Sequence, residues 1–308
     1  MSNLEMFYQK HGLTVRNISR DLLCLSDGDV MVSIAEYTEK FGVSRWTVQT
    51  AIQILLDHNC IRLERHGAKG TQVYDFDREK LWEFAELKFI LGFAPPPSTI
   101  IHDSLYTGLI QAFASSDMPV RLGYMVPAGL RIELLHSGRC NFVITSKMAY
   151  DLVCDKYQDV GIGVILNESV YSLPFRLYAR PGCEPVIKDR TRVGLYEDAL
   201  EQSYLTRELC KGKDVAYKYG NYHGCREMLA KGEIDILIQR GDVDSEVLKG
   251  FPYYEIENEA NDRCVTPVIL CNKNDYHFSK IIQKGVSAEL VSEMQKKVIS
   301  GQNAPTYY

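Results

Sequence analysis

Residues 33–77, SIAEYTEKFGVSRWTVQTAIQILLDHNCIRLERHGAKGTQVYDFD, decide how the amino-terminal part of this chain folds. Ser33 is a good N-cap, and Ile34, Ala35, Thr38 and Phe41 make a short amphipathic helix that Gly42 closes where a positive φ is needed. Ser44 caps a second helix, in which Val48, Ala51, Ile52, Leu55 and Leu56 recur at three- and four-residue steps. Its opposite face carries Arg45, Trp46, Thr47, Gln49 and Thr50 near the start. After Asn59, residues 61–65 and 71–74 alternate apolar and polar around His66-Gly67-Ala68-Lys69-Gly70, which is a hairpin pattern. Upstream, Val15, Ile18, Leu22, Leu23 and Leu25 supply a supporting helix, so residues 14–75 are expected to be a self-sufficient winged helix-turn-helix (α+β).

The chemistry of this pattern points to double-stranded DNA. The first turn of a recognition helix is where side chains reach base edges in the major groove. A glycine-flanked tip with Arg65, His66 and Lys69 has the shape to reach phosphates or a minor groove. The candidate DNA-binding residues are Ser44, Arg45, Trp46, Thr47, Gln49, Arg65, Lys69 and Gly70. Across 45–70 there are four Lys or Arg (45, 62, 65, 69) against two acids (57, 64), which implies few phosphate contacts. A homodimer on a two-fold site is therefore expected.

Composition bounds the rest. At 308 residues the chain has room for two domains, and 45% hydrophobic with 24% charged residues is the balance of a soluble globular protein. A net charge of −5 argues against a protein coated in nucleic acid and leaves a local DNA-binding face. The nine cysteines are scattered without a CxxC pair, so a disulfide framework is not expected. No run of 18 apolar residues occurs and the first residues lack the order of a secretory signal, so a cytoplasmic location without membrane contact is expected.

Residues 77–93 read as a helix capped by Asp77 and stopped by Pro95-Pro96-Pro97, a stiff spacer. The expected organisation is thus a DNA-binding domain over 1–75, a linker over 76–97 and an α/β domain over 98–308. Beyond 98, helices (102–115, 128–137) alternate with strands (120–124, 141–145), implying βαβ units in a largely parallel sheet. Residues 135–144 and 229–238 share the frame L-x-x-G-x-x-N/D-x-x-I, a helix end closed by glycine and then a buried strand. Each is preceded by another strand (119–125 and 214–219), so the unit occurs twice and two similar lobes would leave a cleft between them.

Phe41-Gly42-Val43-Ser44-Arg45-Trp46-Thr47-Val48 with Lys69-Gly70-Thr71-Gln72-Val73 resembles the winged helix of GntR-type bacterial regulators. The large part resembles the type 2 periplasmic-binding-protein domain, the ligand sensor of LysR-type regulators. That resemblance implies a crossing between lobes at 160–181, a return at 264–272, and a final helix, about 278–300, packing on the first lobe. The whole arrangement resembles the YhfZ family of bacterial transcriptional regulators.

In a two-lobed domain, strand ends converge on the cleft. The expected effector-binding residues are Tyr124, Thr145, Ser146, Tyr196, Tyr219, Asn221 and Arg240. Thr145-Ser146 opens a helix and Arg240 stands opposite, which fits an anionic small molecule. His223-Gly224-Cys225 has no third group to orient a base, and no HxxxH, HExxH, GxxxxGK[ST] or GxGxxG motif occurs. No catalytic residue, metal or cofactor is expected, and the reading is a DNA-binding regulator controlled by an effector, not an enzyme. Two other readings stay open: a metabolite-processing enzyme localised by its winged helix, and a winged helix that binds protein.

Overall fold

A computed structural model describes residues 10–241 and 246–306. Residues 1–9, which open the expected first domain and were read for a secretory signal, lie outside the described residues. The chain divides into two compact units. The smaller comprises the chain up to Ile90 with Asp117–Pro119 and Tyr276–Lys284.

In the smaller unit, α1 (Lys10–Leu23) buries Val15, Ile18, Leu22 and Leu23. α2 (Ile34–Phe41) opens with a capping box: Ser33 Oγ accepts from the Glu36 amide at 3.2 Å while Glu36 accepts from the Ser33 amide at 2.9 Å. Gly42 ends it at φ 62°. α3 (Arg45–Asp57) is capped by Ser44 and turns Val48, Ala51, Ile52 and Leu55 inward. β1 (Arg62–Arg65) and β2 (Thr71–Tyr74) pair antiparallel as the wing. An extended segment at 28–31, not foreseen from sequence, joins β2 through Gly28 N–H to Val73 O at 2.8 Å and Met31 N–H to Thr71 O at 2.9 Å. α4 (Arg78–Phe84) completes the unit's local run.

The expected helix over 77–93 is corrected. It ends in one left-handed residue, Glu86 (φ 56°), and β3 (Ile90–Ala94) follows with alternate residues buried. Phe142 explains the strand and its glycine: a Cβ on Gly92 would lie 2.1 Å from the Phe142 ring. Pro95 and Pro96 are likewise not a spacer but part of a cavity wall.

The larger unit continues with α5 (Ile100–Ala114), β4 (Val120–Tyr124), α6 (Ala128–His136), β5 (Phe142–Ser146), α7 (Lys147–Asp151) and β6 (Val160–Ile165). Then come β7 (Phe175–Ala179), β8 (Arg192–Leu195), α8 (Leu200–Leu209), β9 (Ala216–Tyr219), α9 (Tyr222–Ala230) and β10 (Ile236–Arg240). β11 (Tyr253–Glu255), α10 (Glu259–Val265), β12 (Pro267–Asn272), α11 (Tyr276–Gly285) and α12 (Ala288–Ile299) close the chain. Two five-stranded sheets result, ordered β4-β3-β5-β12-β6 and β11-β7-β10-β8-β9. The chain passes from the first to the second between β6 and β7 and returns before β12.

The sheets are mixed rather than largely parallel. β3 with β5, and β8 with β9 and β10, run parallel, but β12 is antiparallel to β5 and β6, and β7 is antiparallel to β10 and β11. The strands that enter each lobe, β7 and β12, impose this: each runs against the βαβ direction, whereas β6 and β11, which leave the lobes, are antiparallel to them and run with it.

The repeated sequence frame has a structural cause. α6 and α9 end at Gly138 (φ 69°) and Gly232 (φ 72°). Asn141 Oδ1 then accepts from the Leu91 amide at 2.9 Å, and Asp235 Oδ2 from the Arg192 amide at 2.9 Å. In both lobes the N/D side chain clips the helix–strand loop to the neighbouring strand, and β5 or β10 follows as a buried core strand.

The carboxyl-terminal helix is two helices, broken at Val286 and Ser287, where Ser287 caps α12. Only α12 packs on α5 of the first lobe. α11 belongs to the smaller unit, where His277 Nε2 lies 2.6 Å from Asp21 and Lys284 Nζ 3.1 Å from Asp29. The compact unit that contains 14–75 thus also includes a piece of the far end of the chain: Asp21 is nearly buried and is met by Lys40 from within the segment and by His277 from outside it.

Candidate functional site

Among the described residues, each unit has a concave surface that gathers candidate site residues. In the smaller unit, a hollow of about 910 Å³ lies between α3 and the wing, lined by Arg45, Gln49, Gln53, Arg65, Lys69 and Gly70 among others. Arg45, Gln49, Arg65 and Lys69 are exposed. Ser44 is engaged as the cap, accepting from the Thr47 amide at 3.1 Å, and Thr47 is turned inward with its hydroxyl 2.9 Å from Ser44 Oγ. Trp46 is 66% exposed but stands edge-on to His11 with ring centroids 5.0 Å apart, and it does not line the hollow. Arg62, counted among the local cations, is held by Asp75 at 2.5 Å and by Glu64.

In the larger unit, a cavity of about 400 Å³ opens between the two lobes. The first lobe supplies Pro95, Pro96, Ser98, Thr99 and His102 after β3, and Val126, Pro127, Ala128 and Arg131 after β4. The second supplies Ala199, Leu200 and Glu201 after β8, Tyr222 and Arg226 from α9, and Gln239 and Arg240 at the end of β10. Tyr171, on the crossing, completes the wall. The amino-terminal turns of α5, α6, α8 and α9 thus all face it. Thr99 and Asn221 cap α5 and α9, whereas no side chain caps α6 or α8, whose N-cap residues are Pro127 and Ala199.

The electrostatics follow from five groups. Arg240 Nη2 and Glu201 Oε2 are 2.6 Å apart and nearly buried, so their charges cancel. Ser146 donates to the other Glu201 oxygen, and Arg240 also bonds Ser172 and lies 4.5 Å from the Phe175 ring. Arg131 is 2% exposed, yet it bonds only neutral acceptors, the Met125 carbonyl and, at 3.3 Å, the Tyr171 hydroxyl. Its Nε has no partner, and neither does that of Arg226. Burial, with Arg240 and Arg131 nearby, pushes His102 down to about 4, so it is neutral at neutral pH.

Of the residues expected at this site, Arg240 lines the cavity and Tyr124, Thr145, Ser146, Tyr196, Tyr219 and Asn221 are not among its lining residues. Thr145 and Ser146 are buried, Ser146 capping the short α7 through the Ala149 amide at 3.0 Å. Tyr124 packs on Tyr106, with centroids 5.7 Å apart, and Tyr219 is 61% exposed. Tyr196 stands edge-on to the lining Tyr222 at 4.8 Å, and Asn221 accepts from the Gly224 amide at 2.8 Å. Sequence reasoning missed Arg131, Arg226, His102 and Glu201 because it looked at strand ends and stopped short of the first helical turns. The signal for Arg131 was a cation beside Ile132 on the buried face of its helix.

Cys225 is buried, and burial pushes its thiol up to about 11, so it stays protonated. Among the described residues no group of three or more His, Cys, Asp or Glu is placed to hold a metal ion, and no helix is long and apolar enough to cross a membrane.

Comparisons with known proteins agree with both halves of this description. Residues 26–73 match a family described as a helix-turn-helix domain, and residues 77–307 match the YhfZ C-terminal domain. The YhfZ protein of Escherichia coli (strain K12) is 24% identical over 303 residues, covering 98% of this chain and 99% of that protein. The crystal structure of YhfZ from Shigella flexneri superposes with a TM-score of 0.65 at 22% identity, over 75% of this chain and 98% of that one. An ancestral arginine-binding protein, solved with arginine bound, gives a TM-score of 0.51 at 14% identity, over 69% of this chain and 97% of that one. The larger unit therefore has a fold like that of periplasmic binding proteins. With one family profile spanning well over half of its length, the chain belongs to the YhfZ family.

Proposed function

We propose that the chain is a DNA-binding transcription regulator that grips duplex DNA between α3 and the wing and holds a small-molecule effector, unchanged, between the lobes of its larger unit. The observation that supports it best is the cavity itself: both lobes line it, and a buried guanidinium, Arg131, faces it with no carboxylate in ion-pairing range among the described residues. A buried charge without a counter-charge costs several kcal/mol, on the order of what a bound anion would return. In the same chain, a helix-turn-helix offers Arg45 and Gln49 to base edges and Arg65 and Lys69 to phosphates.

With Arg62 already paired, only Arg45, Arg65 and Lys69 remain as free cations of the hollow's neighbourhood between 45 and 70, which favours a homodimer on a two-fold site; a DNA-binding role in turn goes with a cytoplasmic location. An effector biases DNA affinity only by the difference in its affinity for the two states of the cleft. Fluorescence anisotropy on a labelled duplex from upstream of the protein's own gene, beside a shuffled duplex, tests the DNA face. Arg45→Ala should weaken the native duplex by about 5- to 150-fold and spare the shuffled one, while Lys69→Ala should weaken both alike and reduce the salt slope by about 1. Undiminished binding by the double variant would place the DNA face elsewhere.

A further inference from the structure

We propose that the cavity takes a compact organic dianion, one acidic group held by Arg131 and the first turn of α6 on one lobe, the other by Arg226 and the first turn of α8 on the opposite lobe. This rests on reading the cavity as the effector site. Among its lining side chains the charges are three arginines and one glutamate, and Arg240 and Glu201 neutralise each other at 2.6 Å. Two guanidiniums are left. His102 adds no charge at neutral pH, since its ring is buried beside Arg240 and Arg131.

Each remaining arginine is placed to meet an anion. Arg131 is 2% exposed, and both arginines have an Nε without a partner. Beside them, α6 (nine residues) and α8 (ten residues) begin without a side-chain cap, so their first amides face the cavity; the first turn of α6 holds no acid, and the one acid in the first turn of α8, Glu201, is paired with Arg240. Much of the remaining wall is apolar or flat, with Pro96, Val126, Leu200, Tyr171 and Tyr222 beside the polar Ser98, Thr99 and Gln239. That wall suits a short carbon skeleton carrying an acidic group at each end.

The placement also selects two charges over one. A monoanion satisfies one lobe whether the cleft is open or closed, whereas a dianion gains its second contact only when the lobes approach. The differential affinity that an effector needs therefore resides in the second acidic group.

Calorimetric titration of the full chain, in a buffer free of phosphate and carboxylates, tests this with five probes: glutarate, 3-phosphoglycerate, butyrate, pentane-1,5-diol and pentane-1,5-diamine. Either diacid, glutarate with two charges or 3-phosphoglycerate with two acidic groups and close to three charges, should bind at least about tenfold more tightly than butyrate, with no heat from the diol or diamine. Glutarate against 3-phosphoglycerate separates a dicarboxylate from a phosphate-bearing acid. Arg226→Gln, at a partly buried position, should bring the dianion down to the butyrate level with an unchanged thermal midpoint, and Arg131→Met should abolish binding of both. Preferential binding of the diol or diamine, or a dianion preference that survives Arg226→Gln, overturns the inference. Dianion binding without any change in DNA affinity would leave the inference standing and defeat the regulator reading. A neutral or cationic probe that changes DNA affinity would do the reverse.

Discussion

Replacing Asp235 with alanine should loosen the second sheet where β8 and β10 meet. Its carboxylate accepts from the Arg192 amide at 2.9 Å, from Arg192 Nη2 at 2.6 Å and from Arg180 Nε at 2.8 Å. The carboxylate is only 20% exposed, but the two arginines are 37% and 39% exposed. A hydrogen bond from an amide to an ionised acceptor contributes about 1.5–3 kcal/mol net. The arginine contacts are screened by water and add about 0.5–1 kcal/mol. Alanine should therefore cost about 2–4 kcal/mol, and asparagine, which keeps an acceptor for the Arg192 amide, about 1–2 kcal/mol.

Acid should reveal the same network. Hydrogen bonds from Arg192, with those of Arg180, hold the Asp235 carboxyl well below the usual carboxylate range. A depressed folded-state value means stability that is present above the unfolded carboxylate value of about 4 and is lost as pH falls through the folded one. The stability gap between wild type and Asp235→Asn should thus narrow below about pH 4. Urea unfolding at several pH values, with hydrogen exchange on peptides covering 191–196 and 234–240, measures both effects. An alanine variant within about 0.5 kcal/mol of wild type, or protection lost equally from β3 and β5, would refute the reasoning.

Gly92→Ala should lower stability by about 1–3 kcal/mol through overpacking, because its Cβ would fall 2.1 Å from the fully buried Phe142 ring. A shift in thermal midpoint, partly restored by adding Phe142→Leu, is the expected outcome, and an unchanged midpoint would contradict the β3–β5 packing. Asp21→Ala removes the shared partner of Lys40 and His277 and should cost about 1–3 kcal/mol. Hydrogen exchange should rise in α1 and α11 together; an unaffected α11 would contradict its assignment to the smaller unit.

The parts of the fold legible in the sequence are those with local causes. Ser33, Gly42 and Ser44 mark helix ends by capping chemistry, and the glycines of the wing mark a hairpin. Ile90-Leu91-Gly92-Phe93-Ala94 was hidden because a short apolar run following Trp82 and Phe84 satisfies helical and strand spacing alike. Membership of α11 in the smaller unit depends on Asp21 and His277, which lie 256 positions apart, and no local pattern announces such a pair. At the cavity, strand order pointed to Arg240 because it ends a strand. Arg131 and Arg226 stay invisible at that level, since what marks them is the lack of a counter-charge in three dimensions.

The most direct test of effector-controlled DNA binding is an anisotropy titration of the full chain onto its own upstream duplex, with and without a ligand shown by calorimetry to occupy the cavity. The expected result is specific binding whose dissociation constant changes by at least about fivefold when the cavity is filled, and which Arg131→Met renders insensitive to that ligand. Duplex affinity that is absent, or that stays the same with the cavity filled, would contradict it.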